Sequence, residues 1–342
     1  MKFNNITKIK ELISRSDKIL ITTHTNPDGD AIGSSLALFH FLKKLDKEVY
    51  LLVPNLYPEF ISWLPGNENI IVYERDRKQS KQALENVETV FCLDYNAIHR
   101  SGILQDVLRN AEASMIMIDH HPDPATEEFK YVVSTTETSS TSELLYEFFL
   151  QIDPAFIPDR DIATCLFVGI MTDTGSFSFA CNRPETFSIT AKLLETGIDA
   201  EWIHRMVYDT FSEDRLRLLG YSLGEKLVVL KDYATAYIAL SRKDLDTFHY
   251  QVGDTEGIVN YALSIEGITM AILLTERKGR IRLSFRSKGD FSVNEVARDH
   301  FKGGGHKNAA GGDSYENLEQ TIKKLEGLLP AYKQRLLSKT GQ

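Results

Sequence analysis

The sequence predicts an α/β protein: an N-terminal doubly wound, mainly parallel sheet, then a smaller C-terminal α/β domain, with a cleft between the two. Three observations support this. Short apolar runs alternate with helical stretches through the first part of the chain. Three of those runs end in His24, Asp94 and Asp119, at the strand ends where open α/β sheets place their ligands. From Leu227 onward the pattern shifts to short strands broken by brief helices. The expected limits are 1–211 for the first domain, 212–226 for a connecting helix and 227–342 for the second.

Taken in order, Ile6, Ile9 and Ile13 recur at helical spacing and predict a helix over 6–14. A strand over 18–23 leads into His24-Thr25-Asn26-Pro27-Asp28-Gly29-Asp30. A helix over 31–47 ends in lysines, which suit its C-terminus. Strands are expected over 48–53, 70–73, 89–93 and 114–118, and helices over 76–88 and 103–111. Thr138 to Thr141 is a capping cluster for a helix over 142–150. Further helices are expected over 159–171, 184–195, 200–207 and 213–226. The second domain should hold strands over 227–230, 235–240, 269–275 and 281–286, with helices over 255–264 and 293–301. A helix from Leu318 should kink or stop at Pro330.

The 342 residues allow two domains, and 42% hydrophobic with 25% charged residues is ordinary for a globular chain. No apolar run reaches the roughly 20 residues of a spanning helix, and the N-terminus opens no signal-peptide core. Cys92, Cys165 and Cys181 have no paired metal-ligand spacing and fit a reduced, cytoplasmic protein. A net charge of -9 argues against binding long nucleic acid. The exception is 276–307, where nine Lys or Arg face four acids, suiting an anion.

His24, Asp28 and Asp30 share one loop, bent by Pro27 and Gly29, so side chains four and two apart converge. Asp94 and His120 arrive from other strand ends, and Asp173 from the end of an apolar helix. Singly, each reads as a cap, a turn former or a loop histidine. Six at successive element ends read as a metal site. Four carboxylates and two imidazoles without Cys suit Mn²⁺, Mg²⁺ or Fe²⁺ better than a closed structural zinc. Six ligands exceed one ion's needs, so two ions sharing a carboxylate is the natural arrangement.

In the second domain, Gly303-Gly304-Gly305-His306 and Ala309-Ala310-Gly311-Gly312 bring backbone amides close together, as in an anion-binding concavity. Ser284, Arg286 and Ser287 sit at a strand end, and Arg286 suits a phosphate by its paired donors. The bland alternative is a glycine-rich turn beside a solvated basic face.

His-x-Asn-Pro-Asp-Gly-Asp-Ala-x-Gly-Ser, a lone Asp after a core strand, Asp119-His120-His121 and Thr172-Asp173-Thr174-Gly175 together resemble the motifs of the DHH phosphoesterase superfamily. Gly303 to Gly311 is similar to the signature of its DHH-associated C-terminal domain. Within the superfamily the chain most resembles the bifunctional oligoribonuclease and pAp phosphatase (NrnA-type) group.

The resemblance implies a cytoplasmic hydrolase that cuts short RNA, such as pApA or pGpG, to mononucleotides, or pAp to AMP, by hydroxide activated between two Mn²⁺ ions (Mg²⁺ or another divalent ion being compatible). It implies His24 and Asp28 on one ion, Asp30, His120 and Asp173 on the other, and Asp94 bridging. Asp119 would orient a histidine, and His121 would face the phosphate. Ser284, Arg286, Ser287, Gly304, Gly305, His306 and Asn308 would hold the nucleotide. Long nucleic acid and membrane are not expected partners, and a homodimer is compatible with the pattern. Other readings are a family II pyrophosphatase, a RecJ-type exonuclease or a non-catalytic nucleotide sensor. Ser241-Arg242-Lys243 superficially resembles a pyrophosphatase motif, but the following Asp244 makes it a helix start.

Overall fold

The computed structural model describes residues 2–338; Met1 and 339–342, at the outer limits of the two expected domains, lie outside the described residues. The chain divides into two compact units between Thr210 and Phe211.

In the first unit, β1 (Lys18–Thr23), β2 (Glu48–Val53), β3 (Ile70–Val72), β4 (Thr89–Leu93), β5 (Ser114–Asp119) and β6 (Tyr131–Ser134) form one parallel sheet in the order β3-β2-β1-β4-β5-β6. The helices are α1 (Ile6–Arg15), α2 (Gly29–Lys43), α3 (Arg77–Leu84), α4 (Gln105–Arg109), α5 (Thr141–Ile152), α6 (Arg160–Asp173), α7 (Pro184–Glu195) and α8 (Ala200–Tyr208). Alternate strand residues face opposite ways, and both sets are apolar. Ile19, Ile21, Phe91 and Leu93 pack with α1, α2, α5 and α6; Leu20, Leu52, Val90 and Met117 pack with α3 and α4. The sheet is therefore doubly wound, as the sequence predicts.

Several details differ from the sequence expectation. The edge strand β6 has only four residues and one buried position, too little alternation to stand out. The helix expected over 103–111 is a 3₁₀ stretch, Ile98–Leu104, followed by the short α4, with left-handed Gly102 breaking the periodicity. The helix after the His24 loop begins at Gly29, because the Asp28 carboxylate caps it by accepting from the amides of Asp30 and Ala31.

In the second unit, β7 (Leu227–Leu230), β8 (Thr235–Leu240), β9 (Met270–Arg277), β10 (Arg280–Ser287), β11 (Gly304–Gly305) and β12 (Ala309–Ser314) form a mixed sheet in the order β11-β12-β10-β9-β8-β7. Only β8 and β9 run parallel; the other pairs are antiparallel. Its helices are α9 (Glu213–Glu225), α10 (Arg242–Thr247), α11 (Ile258–Ser264), α12 (Val293–His300) and α13 (Leu318–Leu337). One sheet face is covered by α9, α10 and α11, and the other by α12 and α13. The helix expected over 213–226 buries Leu218 in this unit's core. Ser241 and Asp244 form the capping box that opens α10.

One expectation needs correcting. Pro330 does not end the last helix, which continues through it to Leu337. The glycine-rich stretch forms a strand pair, with Gly304 opposite Gly311 and Gly305 opposite Ala310. Strand propensity is low in such a segment, so pairing with β10 decides its conformation. No helix among the described residues is long and apolar enough to cross a membrane.

In the first unit α2 packs tightly against α6. A Cβ on Gly33 would lie 2.5 Å from the Cys165 carbonyl oxygen. Gly33→Ala should therefore cost about 1–3 kcal/mol of stability, read as a lower urea midpoint with an unchanged m-value.

Candidate metal centre

Strand register brings the site together. Thr23 pairs with Leu93, and Leu93 with Ile118, so the next residues, His24, Asp94 and Asp119, leave the sheet at one level. β1 is also where the strand order reverses, with β2 on one side and β4 on the other. In such folds the ligand crevice opens at that point.

The His24 Nδ1–H donates to the Thr25 carbonyl at 3.0 Å, an arrangement that leaves Nε2 as the ligating nitrogen. Nε2 lies 3.4 Å from Asp94 Oδ2 and 3.9 Å from Asp28 Oδ2. Asp28 spends its other oxygen on the α2 cap. Asp94 follows β4 with a φ of 63°, a left-handed conformation that turns its side chain off the strand path. Its Oδ1 accepts from the Thr141 hydroxyl at 2.9 Å and lies 3.5 Å from His120 Nε2.

Asp30, in the first turn of α2, accepts the backbone amides of Thr141 and Ser142 at 2.6 and 2.9 Å. The glycine at 169 makes room for this, since a Cβ there would come within 2.7 Å of Asp30 Oδ1. His120 Nε2 stands 3.2 Å from Asp173 Oδ2 and 3.9 Å from Asp30 Oδ2. Asp119 is fully buried; its carboxylate accepts the backbone amide of His121 at 3.0 Å and the His121 Nδ1–H at 2.7 Å. It thus fixes His121, the residue expected to meet phosphate, leaving Nε2 without the proton.

Among the described residues of the first unit, three groups have ligand atoms within 4.8 Å of one another: His24, Asp28 and Asp94; Asp30, Asp94 and His120; and Asp94, Asp119 and His121. Asp94 belongs to all three. Asp173 joins them through His120.

Burial controls the electrostatics. It pushes Asp30 up to about 7, although the Ser142 and Thr141 bonds oppose it, and pushes Asp119 up to about 6. Asp94 is raised well above the carboxylate range, by burial first and then by Asp30, Asp28 and Asp119. Burial also lowers His24, His120 and His121, so the imidazoles are neutral donors at pH 7. Neither Asp30 nor Asp94 has a Lys or Arg ion-pair partner among the described residues. Buried carboxylates held together in this way, with neutral imidazoles and no thiolate, fit hard or borderline divalent cations.

Sequence reasoning missed the groups that hold these side chains. The Thr138 to Thr141 run was legible as a cap, but nothing local connects it to Asp30. The cap is itself fixed by Glu143. That buried carboxylate accepts from the Ser139 amide and hydroxyl and from the Thr186 hydroxyl, and pairs with Arg183 at 2.5 Å.

The second unit divides the expected substrate-binding set. Arg280, Arg282, Ser284 and Arg286 share one face of β10, while Ser287 lies on the opposite, buried face with Ile281, Leu283 and Phe285. The Ser287 hydroxyl donates to the Phe291 carbonyl at 2.7 Å and accepts from Asn308 Nδ2 at 2.9 Å; that nitrogen also donates to the Gly289 carbonyl. Ser287 and Asn308 therefore brace the turn ahead of α12 and do not join the face of Ser284 and Arg286. On that face Gly311 lies under Arg282, where a Cβ would come within 2.6 Å of the guanidinium. Gly304 sits opposite Gly311, and His306 opens the tight turn to Ala309.

The profile described as "DHH family, N-terminal domain" matches residues 18–170, and the one described as "DHHA1 domain" matches 232–331. The chain is 30% identical over 320 residues to the probable bifunctional oligoribonuclease and PAP phosphatase NrnA of Streptococcus mutans, covering 92% of this chain and 96% of that protein. It is 31% identical over 303 residues to the bifunctional oligoribonuclease and PAP phosphatase NrnA of Thermus thermophilus, covering 86% and 83%. Among solved structures, an exopolyphosphatase-related protein from Bacteroides fragilis superimposes with a TM-score of 0.90 at 40% identity over 97% of both chains.

The raised carboxylates set the pH dependence of cation binding. An acid pushed up to about 7 holds its proton below that pH, so a cation must displace it. Mn²⁺ affinity should rise with pH and fall as pH drops through 7, by up to about tenfold per pH unit for each displaced proton. Calorimetry in buffers of different ionisation enthalpy reads both the affinity and the proton release.

Proposed function

The chain belongs to the DHH family of phosphoester hydrolases, and we propose that it cleaves short nucleotide substrates, taking 5′-phosphorylated dinucleotides and short RNA to mononucleotides and pAp to AMP. The observation that carries this reading is the sharing of Asp94 by adjacent donor groups at the carboxyl edge of the sheet. One carboxylate between two sets of ligands is the arrangement a two-ion centre requires.

In this reading His24 and Asp28 hold one ion, Asp30, His120 and Asp173 hold the second, and Asp94 serves both. Mn²⁺ is the proposed ion, with Mg²⁺ as the alternative. Bound divalent cations supply Lewis acidity toward the phosphoryl oxygens and make water nucleophilic at neutral pH.

The protein's own side chains do the rest. The Thr141 and Ser142 amides and the Thr141 hydroxyl orient Asp30 and Asp94, so little rearrangement is needed at the moment of reaction. His121, held by Asp119, presents an imidazole edge to the phosphoryl group.

The second unit is proposed to hold the rest of the nucleotide. Arg286 and Ser284 offer donors on one face of β10, Gly304 and Gly305 allow close backbone approach, and His306 adds a donor. Ser287 and Asn308 act there through the turn they brace.

A single assay tests the function. With Mn²⁺ present, pAp, pApA, a five-nucleotide RNA, a long single-stranded DNA and pyrophosphate are mixed with the protein and followed by mass, with a chelator control. Only the short nucleotides should disappear, and chelator should stop it. Asp30→Ala and His120→Ala should lose about 10³-fold or more in kcat while staying folded. Loss of pyrophosphate or of the long strand instead would overturn the substrate assignment. Arg286→Ala should raise KM for pApA by about tenfold or more, the worth of one charge-assisted contact. It should leave hydrolysis of a small chromogenic phosphodiester within about twofold, since that substrate has no second phosphate.

A further inference from the structure

The carboxylates at the centre are Asp28, Asp30, Asp94, Asp119 and Asp173, five negative charges once all are ionised. Two divalent ions leave that set still negative by one, and a phosphoester adds more. A further cation facing the substrate would offset that excess as phosphoryl transfer to water proceeds. Within the first unit the Arg100 backbone lies beside the His24 loop. Arg100 lies six residues after Asp94, in the 3₁₀ stretch Ile98–Leu104.

Its backbone is held on both sides. The Arg100 amide donates to the Ala97 carbonyl at 3.0 Å, and its carbonyl accepts the Thr25 amide at 2.8 Å, tying it to the residue after His24. Gly102 permits this approach: it has a φ of 58°, and a Cβ there would lie 2.1 Å from the Thr25 hydroxyl. The Ile98 amide donates to Glu128 at 2.7 Å, and the Ser101 hydroxyl to the Ile98 carbonyl, fixing the rest of the stretch.

The side chain is half-buried, and its guanidinium has no ion pair among the described residues. Burial is the main cause of the low His24 and His121 values and of the raised Asp119. The positive charge of Arg100 also lowers His24, His121 and Asp119, in keeping with the backbone bond to Thr25 that sets Arg100 beside the His24 loop.

We propose that Arg100 is a catalytic residue that grips the non-bridging oxygens of the substrate's phosphoryl group beside His121. This assignment rests on the hydrolase reading of the same site. A guanidinium offers two parallel donors to a phosphate, and its rigid backbone lets it meet developing charge without reorganisation.

The test uses the full chain, with Arg100→Gln to remove the charge and Arg100→Lys to keep it. Mn²⁺ is titrated into each protein alone, inorganic phosphate is titrated into each Mn²⁺-loaded protein, and pAp hydrolysis is followed. Arg100→Gln should bind Mn²⁺ like the wild type, bind phosphate about tenfold or more weakly, and lose about 10²–10³-fold in kcat/KM. Arg100→Lys should recover part of both losses. Unchanged phosphate affinity in Arg100→Gln would overturn the proposal. So would loss of Mn²⁺ binding in that variant, since Arg100 would then be a support of the His24 loop. If the wild type hydrolyses no nucleotide, the functional reading fails on its own, and the phosphate titration alone decides Arg100.

Discussion

A buried carboxylate cluster that cannot balance its own charge governs the first unit. Asp30, Asp94 and Asp119 are almost inaccessible to solvent, and burial raises all three. Moving ionised carboxylates out of water costs several kcal/mol each unless something compensates. The partial compensation visible in the fold is all donor groups. The α5 amides meet Asp30, the Thr141 hydroxyl meets Asp94, and the His121 amide and ring meet Asp119. The N-terminal end of α5 adds its partial positive charge at Asp30. These bonds orient the carboxylates and leave lone pairs over for a cation.

The scaffold is built to hold those donors still. Level strand ends on β1, β4 and β5 fix three backbone positions. Close approach of α2 to α6 at Gly33 carries Asp30 toward Asp173, and the space at Gly169 admits Asp30 to the end of α5. The Glu143, Arg183 and Thr186 cluster locks the cap at the start of α5. A buried ion pair of this kind contributes little net stability, and its value here is orientation. The carboxyl edge of the sheet is thus preorganised by contacts outside the donor set.

The second unit uses the opposite electrostatics. The chain is acidic overall, yet the half-buried face of β10 carries Arg280, Arg282 and Arg286. Asp313 faces Arg280 and Arg282 across the strand pair, at 3.2 and 3.6 Å. Arg286 lies opposite Ala309. Gly304 and Gly311 pair beside β10 and add no side chains there.

The sequence by itself determined the alternation that makes the first sheet doubly wound, the strand ends that carry His24, Asp94 and Asp119, and the donor types collected there. Apolar period and the punctuation of Pro27, Gly29 and Pro122 are local properties, so they can be read in order along the chain. Only the tertiary structure decided what those donors touch. The bond from Thr141 to Asp30 spans 111 residues and depends on how α5 crosses α2. Asp94 became the shared member because β4 lies between β1 and β5, an adjacency no periodicity encodes. Ser287 turned away from Arg286 once the pleat of β10 was set against its neighbours, and the glycine stretch became strand because β10 offered it an edge. Arg100 precedes the helix expected over 103–111 and drew no notice from local pattern; its position follows from a backbone bond to Thr25. Each of these depends on long-range pairing, where the free energy of a contact resides in the partner that folding brings to it.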